Sequence, residues 1–172
     1  MKIVYLVVGK GMDPSRTVSP AFAYYSLRES PYHGTYASSI RASSDDSWGK
    51  EVVPELAPQP EDVVLLKRRL GGFWGTHLDS TLRGMGIETV VVTGTASSGC
   101  VLDTVMGAFV NDYYTLYMPD CVSDGNPKLH DLALAFFRDR FDGPTSEELS
   151  ALWTAAASAA EKSGAEQAAA RA

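Results

Sequence analysis

The chain has 172 residues, 45% apolar and 21% charged, with a formal net charge of -6. That length bounds one compact domain, and the composition is that of an ordinary globular chain rather than a disordered or collagen-like one. The acidic balance excludes the concentrated positive surface that nucleic acid or anionic lipid requires, and no run of about 18 apolar residues marks a membrane span.

The start MKIVYLVVGKGMDPS lacks a secretory cleavage pattern, so the expected location is the cytoplasm. Within it, Lys2 to Val8 is a continuous apolar run ending at Gly9 and Gly11, the pattern of a buried strand entering a loop. From Met12 to Gln59 the chain is rich in Ser, Pro, Gly and Asp, with one short helix expected at Ala21 to Arg28. Long excursions of this kind build binding surface. Val63 to Lys67 is the second expected strand and delivers Lys67 at its end. Thr76 is then placed to cap a helix running to about Arg83, with Leu78 and Leu82 on one face and Gly84 and Gly86 as the stop.

Thr89 to Thr93 is the third strand. It runs into the small-residue loop Gly94 to Gly99 and a helix from about Val101 to Asn111, with Val101, Val105, Ala108 and Phe109 on one side. Tyr114 to Met118 is a fourth strand, closed by Pro119. Lys128 to Phe141 follows as a helix with Leu129, Leu132, Ala133, Phe136 and Phe137 turned inward. Thr145 and Glu148 form a capping-box pair before Leu149 and Leu152. The domain is drawn as residues 1–154, and 155–172 as an Ala-rich tail forming a frayed or solvent-facing helix. Alternating strands and helices predict an α/β fold of the doubly wound, Rossmann-like kind, a parallel sheet with helices on both faces.

Ligands of such sheets bind beyond the carboxyl ends of the strands, where Lys67 and Cys100 both fall. A cysteine at a helix start gains from unpaired backbone N–H groups, and a nearby ammonium favours its thiolate further. The glycines and serines before Cys100 let backbone N–H groups approach a ligand closely. Against this stands a plainer reading, in which Cys100 is a packed thiol and Lys67 a strand-end lysine in water. Cys121 reads as a packed thiol, and Asp103 as a carboxylate favoured in a first helical turn, with a substitute general base as the alternative role. Two cysteines are too few for a disulfide framework or a zinc site. With His33, His77 and His130 far apart in sequence, no metal and no cofactor is expected.

The stretch VVLLKRRLGGFWGTHLDSTLRGMGIETVVVTGTASSGCVLDTVMGAF, and more loosely Lys2 to Leu152, resembles the isochorismatase-like cysteine hydrolases. In that family a lysine strand and an aromatic-Gly-Thr turn precede a strand-TG-loop-Cys-helix unit. The resemblance implies Cys100 as nucleophile and Lys67 as the cation beside it. It further implies a cis peptide between Thr95 and Ala96, an oxyanion hole from the backbone N–H groups of Ala96 and Cys100, and a homo-oligomer. Phe73, Trp74 and Ser97 are candidates for the substrate pocket. SSGCV with MPDCVSD is most similar to the N-carbamoylsarcosine amidase group, implying attack on an amide or ureido carbonyl of a small molecule and passage through an acyl-enzyme. That group has an arginine near the end of the corresponding loop, where this chain has Gly125.

The family opens with a central strand ending in an Asp-x-Gln-type motif that supplies the general base. Lys2 to Val8 is similar to the family's second strand, so the first strand and its aspartate have no counterpart here, and an incomplete sequence is expected. Neighbours of an absent strand would keep unpaired backbone groups. Three functions follow as expectations: an amide or ureido hydrolase, a catalytically inactive binding or assembly protein, and a vinyl-ether hydrolase of the isochorismatase kind.

Overall fold

A computed structural model describes residues 1–9, 20–21, 48 and 51–169. The helix expected at Ala21 to Arg28, apart from Ala21 itself, and most of the loop from Met12 to Gln59, His33 included, lie outside the described residues. Four strands are present, β1 (Val4–Val8), β2 (Val63–Lys67), β3 (Thr89–Thr95) and β4 (Tyr114–Ser123). The helices are α1 (Leu78–Gly84), α2 (Leu102–Val110), α3 (Pro127–Arg140) and α4 (Ser146–Ala169), with a π-helical turn, Ser97–Val101, leading into α2. Among the described residues the strands form two parallel ladders, β1 with β2 and β3 with β4, rather than one continuous sheet. The fold is therefore α/β with parallel strands and flanking helices.

Residue parity explains what each strand buries. In β3, Val90 and Val92 face the same way. Val92 joins Val105, Tyr117, Ala133, Leu134 and Phe137 in one apolar cluster, and Val90 also packs on a second, built from Leu65, Leu78, Leu82, Ala108 and Tyr113 with Val4 and Leu6 beside it. This shared face carries α1, α2 and α3 and joins the two ladders through side chains. On β2 only Leu65 and Lys67 are buried, and Val64 and Leu66 are exposed. The apolar run VVLLK thus alternates instead of being covered on both faces.

Several elements differ from the sequence expectation for identifiable reasons. β4 continues through Pro119 to Ser123. The ladder advances from Val92 opposite Tyr117 to Gly94 opposite Val122, so β4 bulges across 118–121 and Pro119 breaks no pairing there. β3 correspondingly gains Gly94 and Thr95. Leu132 is exposed and Leu134 buried, which turns the inner face of α3 by about a quarter turn while Ala133 and Phe137 stay inside it. Phe109 is also exposed, turned from the α2 core to meet Phe141 edge-on at 5.6 Å.

Helix boundaries follow local chemistry. Thr76 precedes the formal N-cap, His77, and its Oγ1 accepts the Leu78 N–H at 3.0 Å. Asn126 caps α3 by accepting from the backbone of Lys128 and Leu129, with Pro127 in the first turn. At α4 the capping box forms as expected: Glu148 Oε2 accepts from Thr145 N and Oγ1, and Thr145 Oγ1 accepts from Glu148 N. The described Ala-rich side chains, Ala155 to Ala159, are exposed. No helix among the described residues is long and apolar enough to cross a membrane.

Candidate functional site

Lys67 ends β2 with its side chain on the buried parity of that strand, and only 3% of the residue is exposed. A buried ammonium must spend its three donors. Here Nζ donates to Arg69 O at 3.0 Å, to Leu70 O at 2.7 Å and to Cys100 Sγ at 3.2 Å. The chain after β2 curls back so that its own carbonyls complete the ammonium shell. The reading of Lys67 as a solvated strand-end lysine is therefore corrected, and the reading that places it beside Cys100 describes the geometry.

Cys100 lies in the π-helical turn between β3 and α2, and it is partly exposed. Two bonds fix its backbone to the lysine loop. Thr104, one turn on and 4% exposed, donates Oγ1 to Cys100 O at 2.6 Å, and the same hydroxyl accepts the Gly72 N–H at 3.0 Å. Sequence reasoning missed Thr104. The available signal was its i+4 position from Cys100, which places both on one helical face.

The turn begins at a cis peptide between Thr95 and Ala96. Ala96 O then accepts from both Gly99 N and Val101 N at 3.0 Å, which draws the turn into a tight ring. Ser97 is fully buried, and its hydroxyl shares a 2.9 Å hydrogen bond with His130 Nδ1 and donates to Asp124 Oδ2 at 3.4 Å. Its expected place in the pocket lining is corrected accordingly: the hydroxyl faces α3 and the end of β4. Burial by itself would push the Asp124 carboxyl up, but donors from Ser98, Asn126 and Ser97 together hold it below the usual carboxylate range.

The other singled-out residues fall into place around this centre. Phe73 packs into the second core cluster, its ring 5.9 Å from that of Tyr113 and close to Gly107. Trp74 is 77% exposed, so it is not packed against the sheet. Asp103 is exposed, and its carboxyl lies against Gly71 rather than inside the site. Cys121 is half-buried on the bulge of β4. Among the described residues no group of three or more His, Cys, Asp or Glu side chains converges as a metal site would require.

The model of the isochorismatase domain family matches residues 30–148. Among solved structures, an isochorismatase-like hydrolase from Alkaliphilus metalliredigens is 25% identical, with a TM-score of 0.65 over 88% of this chain and 70% of that one. An N-carbamoylsarcosine amidase from Thermoplasma acidophilum is 26% identical, with a TM-score of 0.64 over 86% and 74%. A nicotinamidase from Staphylococcus aureus is 29% identical, with a TM-score of 0.55 over 59% and 68%.

Proposed function

This chain belongs to the isochorismatase family of hydrolases, and on that premise we propose that it is a cysteine hydrolase cleaving a C–N bond of a small amide or ureido compound. The observation that carries the reading is the 3.2 Å contact between the buried Lys67 ammonium and Cys100 Sγ. An ammonium held there stabilises negative charge developing on a substrate at the same place.

In this reading the Cys100 thiolate attacks the carbonyl carbon, and the carbonyl oxygen takes up negative charge opposite the backbone N–H groups of Ala96 and Cys100. Collapse of the adduct expels ammonia or an amine, and water hydrolyses the resulting thioester, a thiocarbamate for a ureido substrate, to regenerate the thiol. The proton surrendered by the thiol is the one the leaving amine must take up, and a general acid–base group has to carry it. The resemblance assigns that transfer to an aspartate at the end of the family's first strand. The amidase and nicotinamidase among the similar structures support an amide or ureido substrate over a vinyl ether.

The test is product release from N-carbamoylsarcosine, nicotinamide and isochorismate by the protein and by Cys100→Ser. Ammonia from either of the first two, abolished by the substitution, supports the proposal. Pyruvate from the third moves the assignment to vinyl-ether hydrolysis. Ammonia release that survives in Cys100→Ser overturns the cysteine mechanism.

A further inference from the structure

Ser97 and Ser98 open the turn that bears Cys100, and the groups that hold them come from one place, the connection from β4 to α3 together with the first turn of α3. Asp124 is the hub. Its Oδ2 accepts from Ser98 N at 2.9 Å, from Ser98 Oγ at 2.6 Å and from Ser97 Oγ at 3.4 Å. Its Oδ1 accepts from Asn126 N at 3.0 Å, and Asn126 is itself the N-cap of α3. One turn along α3, His130 Nδ1 meets the other side of the Ser97 hydroxyl at 2.9 Å.

We infer that Asp124 is a positioning residue for Cys100: through Ser98 and Ser97 it clamps the start of the Ser97–Val101 turn and so sets where the sulfur stands relative to Lys67. The inference rests on the reading of Cys100 as the nucleophile and adds to it the group that fixes the turn. The geometry makes the role specific. Four donors meet this carboxylate, three of them at Oδ2. The turn is short, so a shift at Ser98 is passed directly to Cys100 two residues later. On the far side Thr104 pins the Cys100 carbonyl. The sulfur is thus held from both directions, by α2 behind it and by Asp124 in front.

The clamp works by hydrogen-bond direction rather than by charge. Asparagine keeps one carbonyl oxygen with two acceptor positions, enough for Ser98 N and Oγ, whereas alanine keeps none. An effect of charge alone would be equal in the two variants, because both are neutral.

The experiment is the rate of iodoacetamide labelling at neutral pH, with the labelled cysteine located by peptide mass, for the protein and for Asp124→Ala, Asp124→Asn and Ser98→Ala. Near-ultraviolet circular dichroism shows which variants are folded. Wild-type labelling is expected at Cys100. Loss of the acceptor oxygens in Asp124→Ala is expected to slow it about tenfold, with Asp124→Asn within about threefold of wild type and Ser98→Ala in between. Folded Asp124→Ala that labels at the wild-type rate, or Asp124→Asn and Asp124→Ala slowed alike, overturns the positioning role and leaves the nucleophile reading standing. If Asp124→Ala does not fold, Ser98→Ala decides: slower labelling supports the clamp and unchanged labelling overturns it. Wild-type protein that labels only at Cys121, or at neither cysteine, removes the nucleophile reading and this inference with it.

Discussion

Gly72 donates its backbone N–H to the hydroxyl of Thr104 at 3.0 Å, and that hydroxyl donates in turn to Cys100 O. One buried side chain thereby couples the loop that holds the lysine to the helix that follows the cysteine. Thr104→Val keeps the shape and removes both bonds, leaving a buried N–H without its acceptor. We expect a stability loss of about 1–3 kcal/mol in urea unfolding and hydrolysis reduced about tenfold, with Thr104→Ser near wild type in both. A Val variant with unchanged stability would mean that water or another acceptor replaces the hydroxyl.

Lys67→Met retains the aliphatic stem and removes the ammonium. Turnover of the best substrate should fall by at least about a hundredfold, since a preorganised charge at the reacting centre is lost. The carbonyls of Arg69 and Leu70 lose their donor as well, so the melting temperature should also drop. A variant that melts lower yet turns over normally would remove Lys67 from the chemistry while leaving its structural part intact.

Asp120 Oδ1 and Oδ2 accept from Ser146 N, and Oδ2 also from Ser146 Oγ, at the start of α4. The Ser146 hydroxyl, followed by its N–H, holds the carboxyl below its ordinary range. A lowered folded-state value means stability that is present above the unfolded value and is lost as pH falls through the folded one. Asp120→Asn should therefore melt below wild type at pH 6, and the gap should close as the pH is taken down from about 4 toward 2. Glu148, whose carboxyl is lowered by the Thr145 N–H and hydroxyl, should show the same sign in Glu148→Gln. A gap that widens in acid would contradict both assignments.

Gly107 faces Phe73 so closely that an added Cβ would stand 2.7 Å from the ring. Gly107→Ala should cost about 1–3 kcal/mol by overpacking. Phe73→Leu in the same chain should recover part of it, which a chemical-denaturation series on the single and double variants would reveal.

Much of this arrangement was legible because period and punctuation agree. The run ending at Lys67, the small residues before Cys100 and the Thr145–Glu148 pair each carry a local signal that the fold uses as written. What escaped was non-local. Pro119 reads as a strand end, and only the ladder with β3 shows a bulge that accommodates it. Leu132 and Leu134 are interchangeable to a pattern of apolar spacing, and the tilt of α3 over Tyr117 and Val92 decides between them. Asp124 closes the MPDCVSD segment and Thr104 lies in the stretch after Cys100, yet nothing in either, or in His130, names its partner. Their meaning comes from partners 26 to 33 residues away for the Asp124 and His130 bonds and 32 for Gly72 with Thr104, separations at which residue order alone is silent.

The Lys67 ammonium and the Cys100 sulfur belong to different halves of the described structure. Lys67 closes the ladder of β1 and β2, and Cys100 leaves the ladder of β3 and β4. No strand pairing among the described residues runs from one ladder to the other. Among the described residues the nitrogen-to-sulfur spacing is carried by apolar side chains around Val90 and by the thread from Gly72 through Thr104. Whatever draws the halves together or lets them part acts on that spacing directly, so substitutions at the seam should register in the chemistry before they register in the fold.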